Sequence, residues 1–387
     1  MQKFDLVIVG GGLAGASLAV ALRNTRLSIA LVESRAPGRP QGWDARIYAV
    51  NPANAAFLEK IGVWKHLDPT RICPIHGMEV RGDHGAKLDF SAYETGVSEL
   101  AWILESSLMA SELWENLKRQ SNVTLFCPSQ PAALESRIDA AVLKLQGGET
   151  LAARLLVGAD GRDSWVRGES GLAAETKFYG EKGVVANFAC AKFHRNIAFQ
   201  WFRDDGVLAW LPLPGNRISI VWATPDANAD YLCNLPADAL ARRVADAGFN
   251  SLGSLETITA PQAFPLRLVR VPRTIAPRLA LIGDAAHGIH PLSGHGINLG
   301  FQDACELAAI LSSSQPWLDI GDERFLRRYE RARKEETLLM QTTTDLLRRL
   351  FAASAPGLAP LRNLGLGLTN ALPIAKTTLV RYALGSL

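Results

Sequence analysis

The chain has 387 residues, of which 48% are hydrophobic and 20% are charged, with a formal net charge of +3 at pH 7. This length can hold two interleaved domains with a full core, and so weak a positive charge gives no argument for a nucleic-acid partner. The five cysteines are scattered and form no C-x-x-C pair, so neither a disulfide framework nor a zinc site is indicated.

The simplest expectation is a protein of a reducing compartment. Met1-Gln2-Lys3 leads straight into an apolar strand pattern, which is not typical of a signal peptide. A spanning helix needs about 18 or more apolar residues without charge, and the sequence contains no such run. We therefore expect a cytoplasmic location.

The first elements predict a nucleotide-binding unit. The apolar run Phe4 to Val9 enters the turn Gly10-Gly11-Gly12-Leu13-Ala14-Gly15, and an Ala-rich helix pattern continues to Leu22. A second strand, Leu27 to Val32, ends at Glu33. These elements have the order and spacing of a dinucleotide-binding site: a strand, a glycine turn, a helix, a second strand and a terminal acid.

Each residue type in this turn has a physical role. Gly10 permits the tight turn, Gly12 lets the backbone approach a pyrophosphate, and Gly15 lets the helix pack close to the strand. Ala14 lies in the same turn. The carboxylate of Glu33 can accept hydrogen bonds from ribose hydroxyl groups and disfavours a 2′-phosphate.

The next hundred residues lack the β-α alternation of a plain dehydrogenase. Asp44-Ala45-Arg46 leads into a helix through Leu58, and a long amphipathic helix is predicted from Ser106 to Gln120. Strands are predicted near residues 78–81, 86–90, 123–126, 140–145 and 151–157. The last of these enters Gly158-Ala159-Asp160-Gly161.

The middle of the chain predicts an antiparallel sheet. Apolar or alternating runs cover residues 183–193, 196–202, 206–213, 216–223 and 262–267, with a helix at 235–247. Together with the strands near 78–90, this sheet would form a lid over a bound cofactor. Four aromatic residues are candidates for a pocket wall, although aromatic strand residues more often pack in a core: Trp201, Phe202, Trp210 and Trp222.

The third segment, Gly283 to Asp303, consists of an apolar strand, Gly-Asp, a turn-rich stretch and a helix that begins near Gly296. The unpaired N–H groups and partial positive charge of a helix start favour an anionic ligand. This segment is therefore a candidate partner of the N-terminal turn.

Three separated motifs share one order and spacing along the chain. They are Gly10-x-Gly12-x-x-Gly15 with Glu33; Gly158-Ala159-Asp160-Gly161 with Ser164 and Arg167; and Gly283-Asp284-Ala285-Ala286-His287 with Pro291, Gly294, Gly296, Asn298 and Gly300. Over roughly residues 4 to 345 they resemble the single-component FAD-dependent aromatic hydroxylases of the para-hydroxybenzoate hydroxylase fold.

Within that superfamily, Asp44-Ala45-Arg46 and the block from His290 to Gly300 are most similar to the ubiquinone-biosynthesis flavin hydroxylases, which act on polyprenylated phenols. That family usually has Gln between the two glycines of its G-Q-G motif. This chain departs from the pattern, because His295 stands between Gly294 and Gly296.

The resemblance implies an α/β fold: a Rossmann-like FAD-binding domain, an interleaved antiparallel-sheet substrate domain and a helical C-terminus. The predicted FAD-binding domain is discontinuous, with residues 1–72, 98–176 and 269–345. The predicted substrate domain takes residues 73–97 and 177–268, and residues 346–387 form the C-terminal helical region.

The resemblance also implies roles for individual side chains. Arg46 would contact the FAD pyrophosphate or ribityl region, Asp284 would bind the ribityl chain, and Asp160-Gly161 would serve both FAD and reduced nicotinamide. Glu105 lies where relatives place a polar residue against the flavin or its ribose. The alternatives are a surface pair for Arg46 with Asp44, a turn cap for Asp160 and a structural first-turn acid for Glu105.

The predicted cofactor-binding residues are Gly10, Gly12, Ala14, Gly15, Glu33, Arg46, Glu105, Asp160, Gly161, Gly283, Asp284, Pro291, Gly294, Gly296, Ile297 and Asn298. No metal is predicted, because His287, His290 and His295 are embedded in the Gly-Asp/Pro/Gly pattern without ligand spacing of a known type.

The implied reaction is hydroxylation of the aromatic ring of a polyprenylated phenol or quinol through a flavin C4a-hydroperoxide, with NAD(P)H as electron donor and O2 as co-substrate. NAD(P)H would visit the FAD site, or a separate reductase would supply the electrons. The candidate catalytic residues are His290 and His295 as a base and Pro291, which would leave the backbone close to the ring.

The C-terminus suggests a partner. Beyond Asp345 the sequence has no acidic residue, whereas Arg348, Arg349, Arg362, Lys376 and Arg381 lie among apolar residues. This composition suits peripheral attachment of the protein to the inner face of the membrane, or to a ubiquinone-biosynthesis complex. The alternative is that the region forms helices that dock on the rest of the protein or form a homo-oligomer interface. Two other functions stay open: a soluble phenol-catabolism flavin hydroxylase and a non-enzymatic prenyl-binding carrier.

Overall fold

The structure is a computed structural model that describes residues 1–38, 42–82, 86–289 and 296–352. Four of the predicted site residues lie outside the described residues, namely His290, Pro291, Gly294 and His295. The same holds for residues 353–387 of the predicted C-terminal region.

The strands, in chain order, are β1 (Gln2–Val9), β2 (Ile29–Val32), β3 (Ile47–Val50), β4 (Cys73–Ile75), β5 (Gly77–Arg81), β6 (Lys87–Ser91), β7 (Ala101–Glu105), β8 (Val123–Phe126), β9 (Pro131–Ser136), β10 (Ala141–Leu145), β11 (Thr150–Gly158), β12 (Glu175–Cys190), β13 (Ile197–Arg203), β14 (Gly206–Leu213), β15 (Arg217–Pro225), β16 (Leu255–Thr257), β17 (Gln262–Arg270), β18 (Ile275–Ala276), β19 (Leu279–Leu281) and β20 (His287–Gly288).

The α-helices are α1 (Leu13–Ala21), α2 (Pro52–Lys60), α3 (Ala92–Thr95), α4 (Ser106–Lys118), α5 (Trp165–Glu169), α6 (Asp226–Asn234), α7 (Ala237–Ala247), α8 (Gly296–Ser312) and α9 (Glu323–Ala352).

The first sheet carries the N-terminal fingerprint. Its strand order is β18-β19-β11-β1-β2-β8; in addition, β10 pairs with β11, and β9 pairs with β10. The pairs β11–β1, β1–β2, β2–β8 and β11–β19 are all parallel. Parallel strands are buried on both faces, which explains why β1 and β2 are nearly continuous apolar runs.

The second sheet has the order β20-β17-β12-β15-β14-β13-β5-β6, with β16 beside β12. Its pairs are antiparallel except for β13 and β5, which run parallel. The early strands β5 and β6 therefore join the middle sheet, as the sequence predicts. The α/β fold with an interleaved antiparallel sheet is confirmed.

A small third sheet has the order β3-β7-β4, and its Cys73 and Ile103 pack with Ala198 and Leu213 of the second sheet. β4 pairs with β7 here, although Cys73 is the predicted first residue of the substrate domain. The predicted domain boundaries stay a prediction.

One helical segment differs from the sequence prediction. The single helix predicted at 235–247 is preceded by another, α6, and Pro236 separates the two because it has no N–H to continue a helix. At the C-terminus, α9 runs without interruption across the predicted boundary between residues 345 and 346. Within the described ranges, no helix combines the length and the apolar character that a membrane crossing requires.

Candidate functional site

A cavity of about 780 Å³ lies between the first sheet with its helices and the second sheet. Eight predicted cofactor-binding residues line it: Gly12, Ala14, Arg46, Gly283, Asp284, Gly296, Ile297 and Asn298. Six others are described but lie outside its lining: Gly10, Gly15, Glu33, Glu105, Asp160 and Gly161. Residues about 270 positions apart in the sequence therefore meet at one cavity.

The glycines of the N-terminal turn have distinct surroundings. A Cβ at Gly10 would lie 2.3 Å from the Ala159 carbonyl oxygen, and one at Gly15 would lie 2.0 Å from the Gly10 carbonyl oxygen. These two glycines are required for close backbone packing. A Cβ at Gly12, by contrast, would meet no atom within 4 Å, because this residue faces the cavity.

The start of α1 is suited to an anion. Gly12 precedes the helix and supplies no side-chain cap, and the first turn contains no acidic residue. The N–H groups of that turn are therefore directed at open space with the positive end of the helix dipole behind them.

Glu33 lies at the end of β2 beside the same turn. Its Oε2 accepts a 2.6 Å hydrogen bond from the Gly11 N–H, and its Oε1 accepts from the Ser34 hydroxyl group at 2.9 Å. The carboxylate is half-buried and fixed next to the glycine turn, in the position that the fingerprint predicts for a ribose acceptor.

Small residues bring α1 and α8 together. A Cβ at Gly283 would lie 3.1 Å from the Ala14 Cβ, and one at Gly300 would lie 3.5 Å from the same atom. Gly283 has a φ of +60°, which favours glycine. Because the side chain at residue 14 is only a methyl group and residue 300 has none, the Gly283-Asp284 turn fits between the starts of α1 and α8.

Asp303 anchors this turn from behind. Its fully buried carboxylate accepts hydrogen bonds from the Gly283 N–H at 2.8 Å, from His287 Nε2 at 2.6 Å and from Arg333 Nε at 2.8 Å. Burial alone would raise the pKa of Asp303, but His287 and Arg333 outweigh burial and lower it. Asp303 thus holds the Gly283-Asp284 turn at the cavity wall.

Sequence reasoning missed both Asp303 and Arg333. The available signal was one acid within the buried stripe of α8, where buried residues three or four positions away are Leu299, Gly300 and Leu307. A lone carboxylate on such a stripe needs a buried partner. Its partner, Arg333, comes from α9, thirty residues later.

Asn298 fixes the start of α8 to the segment after β3. Its Oδ1 accepts from the Asn51 N–H at 3.1 Å and from Asn54 Nδ2 at 3.0 Å, while its Nδ2 donates to the Ala49 carbonyl at 2.7 Å. Since the residue also lines the cavity, these bonds position the helix start that faces any ligand.

Glu105 is bonded to residues of the chain itself, while its predicted cofactor contact stays a prediction. The carboxylate is fully buried, forms a 2.7 Å ion pair with Arg71 Nε and accepts a 2.5 Å hydrogen bond from the Asp44 N–H. Asp44 in turn accepts from the Arg46 N–H at 2.9 Å. Glu105 therefore holds the segment that presents Arg46 to the cavity.

Asp160 is likewise bonded within its own loop. Its carboxylate accepts from the Ser164 hydroxyl group at 2.5 Å and from the Val166 N–H at 2.9 Å, which organises the start of α5. Gly161 has a φ of +85°, which favours glycine. These bonds are those of the turn cap that the sequence left as the alternative role of Asp160.

A charged edge of the cavity is formed by Arg162 and Asp284, whose side chains lie 3.5 Å apart. Arg267 also lines the cavity and pairs with Asp163. The Nε atoms of Arg162 and Arg267 are buried without a hydrogen-bond partner. This edge offers donors to a polar or anionic ligand.

The opposite wall is the second sheet, and its tryptophans do not line it but pack in a core, the alternative that the sequence favoured for aromatic strand residues. Trp201, Trp210 and Trp222 point to the other face, where they pack with α6 and α7 and are at most 4% exposed. Side chains alternate between the faces of a strand, so neighbouring residues line the cavity instead. Phe202 is half-buried and also lies outside the lining.

The cavity-facing sheet residues form a row in register across four strands: Gln200, Ala209, Val221 and Val185. Leu211 and Ala198 extend this surface. The wall is thus mainly apolar and excludes water from one side of the cavity.

Metal binding finds no support in the described part of the chain, where no group of three or more His, Cys, Asp or Glu residues could hold an ion. His287 is bonded to Asp303. His290 and His295 lie outside the described residues.

These observations fit FAD. A dinucleotide needs donors for its anionic pyrophosphate and an acceptor for its ribose. The donors are available at the open face of Gly12, at the uncapped start of α1 and at the second helix start, Gly296, and the acceptor is the adjacent Glu33 carboxylate. The cavity continues from them to the apolar sheet, where a second molecule can bind.

Comparison with known proteins agrees with this fit. The FAD binding domain family matches residues 3–342. A ubiquinone hydroxylase of Rhodospirillum rubrum is 34% identical over 99% of this chain and 90% of its own length. The 3-demethoxyubiquinol 3-hydroxylase of Escherichia coli is 32% identical over 99% of both chains.

Among solved structures, p-nitrophenol 4-monooxygenase of Pseudomonas putida matches 98% of this chain and 97% of its own, with a TM-score of 0.79 and 18% identity. At that identity the match supports the fold alone. The enzyme interpretation and FAD as cofactor are confirmed by the family and its relatives, with NAD(P)H and O2 as the usual co-substrates of the class. The chain belongs to the FAD-dependent monooxygenases of the FAD binding domain family, in the branch of the ubiquinone-biosynthesis hydroxylases.

Proposed function

We propose that the protein hydroxylates the aromatic ring of a polyprenylated phenol or quinol in ubiquinone biosynthesis. The observation that carries this proposal is the single cavity in which the flavin-fingerprint residues face an apolar sheet. The relatives are named as hydroxylases of ubiquinone and demethoxyubiquinol, which supports the substrate class.

In this proposal the chain holds FAD from two sides. The N–H groups at the start of α1 bind the pyrophosphate, and Glu33 accepts from the ribose. Arg46 and Asp284, which both line the cavity, bind the pyrophosphate and ribityl regions. Bound FAD supplies the redox chemistry, in which electrons from NAD(P)H are used to activate O2 for transfer of one oxygen atom to the ring.

The chain's own contribution is positioning and electrostatics. The start of α8, from Gly296, directs N–H groups and its positive dipole end towards the cavity and stabilises negative charge there. The apolar sheet wall excludes water, and the enclosed space holds the ring in place. His290 and His295 are the proposed bases, and Pro291 the proposed backbone contact; all three lie outside the described residues.

Two experiments test the function. Cells that lack the gene should accumulate a ubiquinone precursor with one hydroxyl group too few, measurable by mass spectrometry of extracted quinones. Purified protein with FAD should consume NAD(P)H in the presence of a short-chain prenylated phenol and release a product heavier by one oxygen atom. A normal quinone profile, together with turnover of small unprenylated phenols alone, would instead indicate a phenol-catabolism enzyme.

We further propose peripheral association with an anionic membrane surface through residues 353–387, because Arg362, Lys376 and Arg381 are the charged residues of this segment and all are basic. Arg348 is not part of this argument, since it forms a 2.7 Å ion pair with Glu181. Full-length protein should co-sediment with vesicles that contain anionic lipid, and a chain that ends at residue 352 should not. Equal sedimentation of both chains would refute the proposal.

A further inference from the structure

Gln200 is a buried polar side chain on the apolar wall of the cavity. It lies in β13, is 7% exposed and lines the cavity. Its neighbours in the same cross-strand row are Ala209, Val221 and Val185, none of which has a polar side chain.

The amide of Gln200 has no hydrogen-bond partner within the described residues. Burying an amide without a partner destabilises a fold, so such groups are normally bonded. The backbone around it is already used, because β13 pairs with β14 on one side and with β5 on the other. The side-chain amide is therefore available to a molecule in the cavity.

No other residue of this wall offers the same chemistry. Among the described residues of the second sheet that line the cavity, the other polar side chain is Arg267, which is charged, pairs with Asp163 and can only donate hydrogen bonds. A carboxamide has one acceptor oxygen and two N–H donors and carries no charge. It suits a neutral ligand oxygen that both donates and accepts, as a phenol hydroxyl group does.

We propose that Gln200 is a substrate-positioning residue that hydrogen-bonds an oxygen substituent on the aromatic ring of the substrate. This inference rests on the proposed function and adds a determinant of specificity to it. Ala209, Val221 and Val185 contact the apolar part of the ring, and the bond to Gln200 fixes its rotation within the cavity. Gln200 thereby selects which ring carbon faces the wall formed by Gly12 and Gly296.

The test compares Gln200→Leu and Gln200→Met with the wild-type protein, all purified with FAD. The matched control is Gln262→Leu, because Gln262 pairs with Val185 in the same row but is exposed and lies outside the cavity lining. The probes are a short-chain prenylated phenol and its analogue with hydrogen in place of the hydroxyl group. Dissociation constants are measured from the change in flavin absorbance.

The wild-type protein and the Gln262→Leu control should bind the phenol about 10-fold more tightly than the analogue, which corresponds to about 1.4 kcal/mol. Both Gln200 variants should lose this preference through weaker binding of the phenol alone. Their turnover should yield less hydroxylated product per NAD(P)H consumed, or product hydroxylated at a different ring carbon, because the ring is no longer held in one orientation.

Unchanged preference for the phenol in both Gln200 variants, with FAD retained, overturns the role of Gln200 and leaves the proposed function standing. A wild-type protein that binds FAD but neither probe overturns the proposed function and the role of Gln200 together. Gln200→Met, which preserves side-chain length, decides the outcome if Gln200→Leu does not retain FAD.

Discussion

The carboxylate of Asp303 lies 2.6 Å from Nε2 of His287, and both side chains are buried. The same carboxylate accepts from the Gly283 N–H and from Arg333, so it joins the Gly-Asp turn, α8 and α9. This contact links the position of Asp284 at the cavity to a charge cluster beneath the cavity wall.

Asp303→Asn should strongly destabilise the protein, because Arg333 loses its fully buried carboxylate partner and keeps the more exposed Glu336 as its other carboxylate. We expect the free energy of unfolding to fall by about 3–5 kcal/mol and FAD to dissociate more readily. Denaturant unfolding of the FAD-bound protein and its flavin content measure both effects. Asp319→Asn is the control, since Asp319 pairs with Arg278 away from the cavity and is 42% exposed. Equal stability of Asp303→Asn and wild type would contradict this role.

His287 should make stability depend on pH. Burial alone lowers its pKa, but the Asp303 carboxylate outweighs burial and the pKa of His287 is raised above 6.5. The resulting stabilisation is fully present below pH 6.5 and is lost as the pH rises through the folded-state pKa. His287→Gln should remove this loss in unfolding measurements at alkaline pH, and an unchanged pH profile in this variant would contradict the prediction.

His194 should act in the opposite direction. Burial lowers its pKa, and its Nδ1 accepts a 3.0 Å hydrogen bond from the Asn196 N–H, which requires the neutral ring. A histidine with a lowered pKa stabilises the fold above pH 6.5, and this contribution is lost as the pH falls through the folded-state value. The NMR titration of His194 should have its midpoint below 6.5, and a midpoint above this value would refute the assignment.

Gly12 and Gly15 should respond differently to a methyl group. Gly12→Ala has space for its Cβ in the cavity, so the protein should remain folded. It should bind FAD at least about tenfold more weakly, because the added methyl group occupies the place where the backbone approaches the pyrophosphate. Gly15→Ala would overlap the Gly10 carbonyl and should lower the free energy of unfolding by about 1–3 kcal/mol. Flavin titration and denaturant unfolding separate the two outcomes. Normal FAD affinity in Gly12→Ala would argue against this site.

Glu105 and Arg71 should behave as a pair. Glu105→Leu leaves Arg71 without its partner and should cost about 3 kcal/mol of unfolding free energy, whereas adding Arg71→Met should restore part of the loss. Glu105→Leu alone and Arg71→Met alone should each weaken FAD binding, since each loosens the segment that carries Arg46. If Glu105 contacts the flavin directly, Arg71→Met should leave FAD affinity unchanged.

Local patterns in the sequence were sufficient for the FAD-binding half of the cavity. A strand, a glycine turn and a helix lie close together in the chain, so their spacing alone predicts that the backbone of Gly12 approaches a pyrophosphate. The same holds for the Gly283-Asp284 turn and the helix that begins at Gly296. The resemblance to a flavin family predicts that these distant segments meet at one site.

Only the tertiary structure decided what the remaining side chains do. β13, β14 and β15 are apolar on both faces, so no alternation indicates which face α6 and α7 cover, and the tryptophans could not be separated from Gln200. The sequence around Glu105 and Asp303 does not show which group pairs with either carboxylate, because each is bonded to an arginine more than 25 residues away. The sequence by itself determined the cofactor turns, which are local; the charge partners and the substrate wall depended on long-range packing.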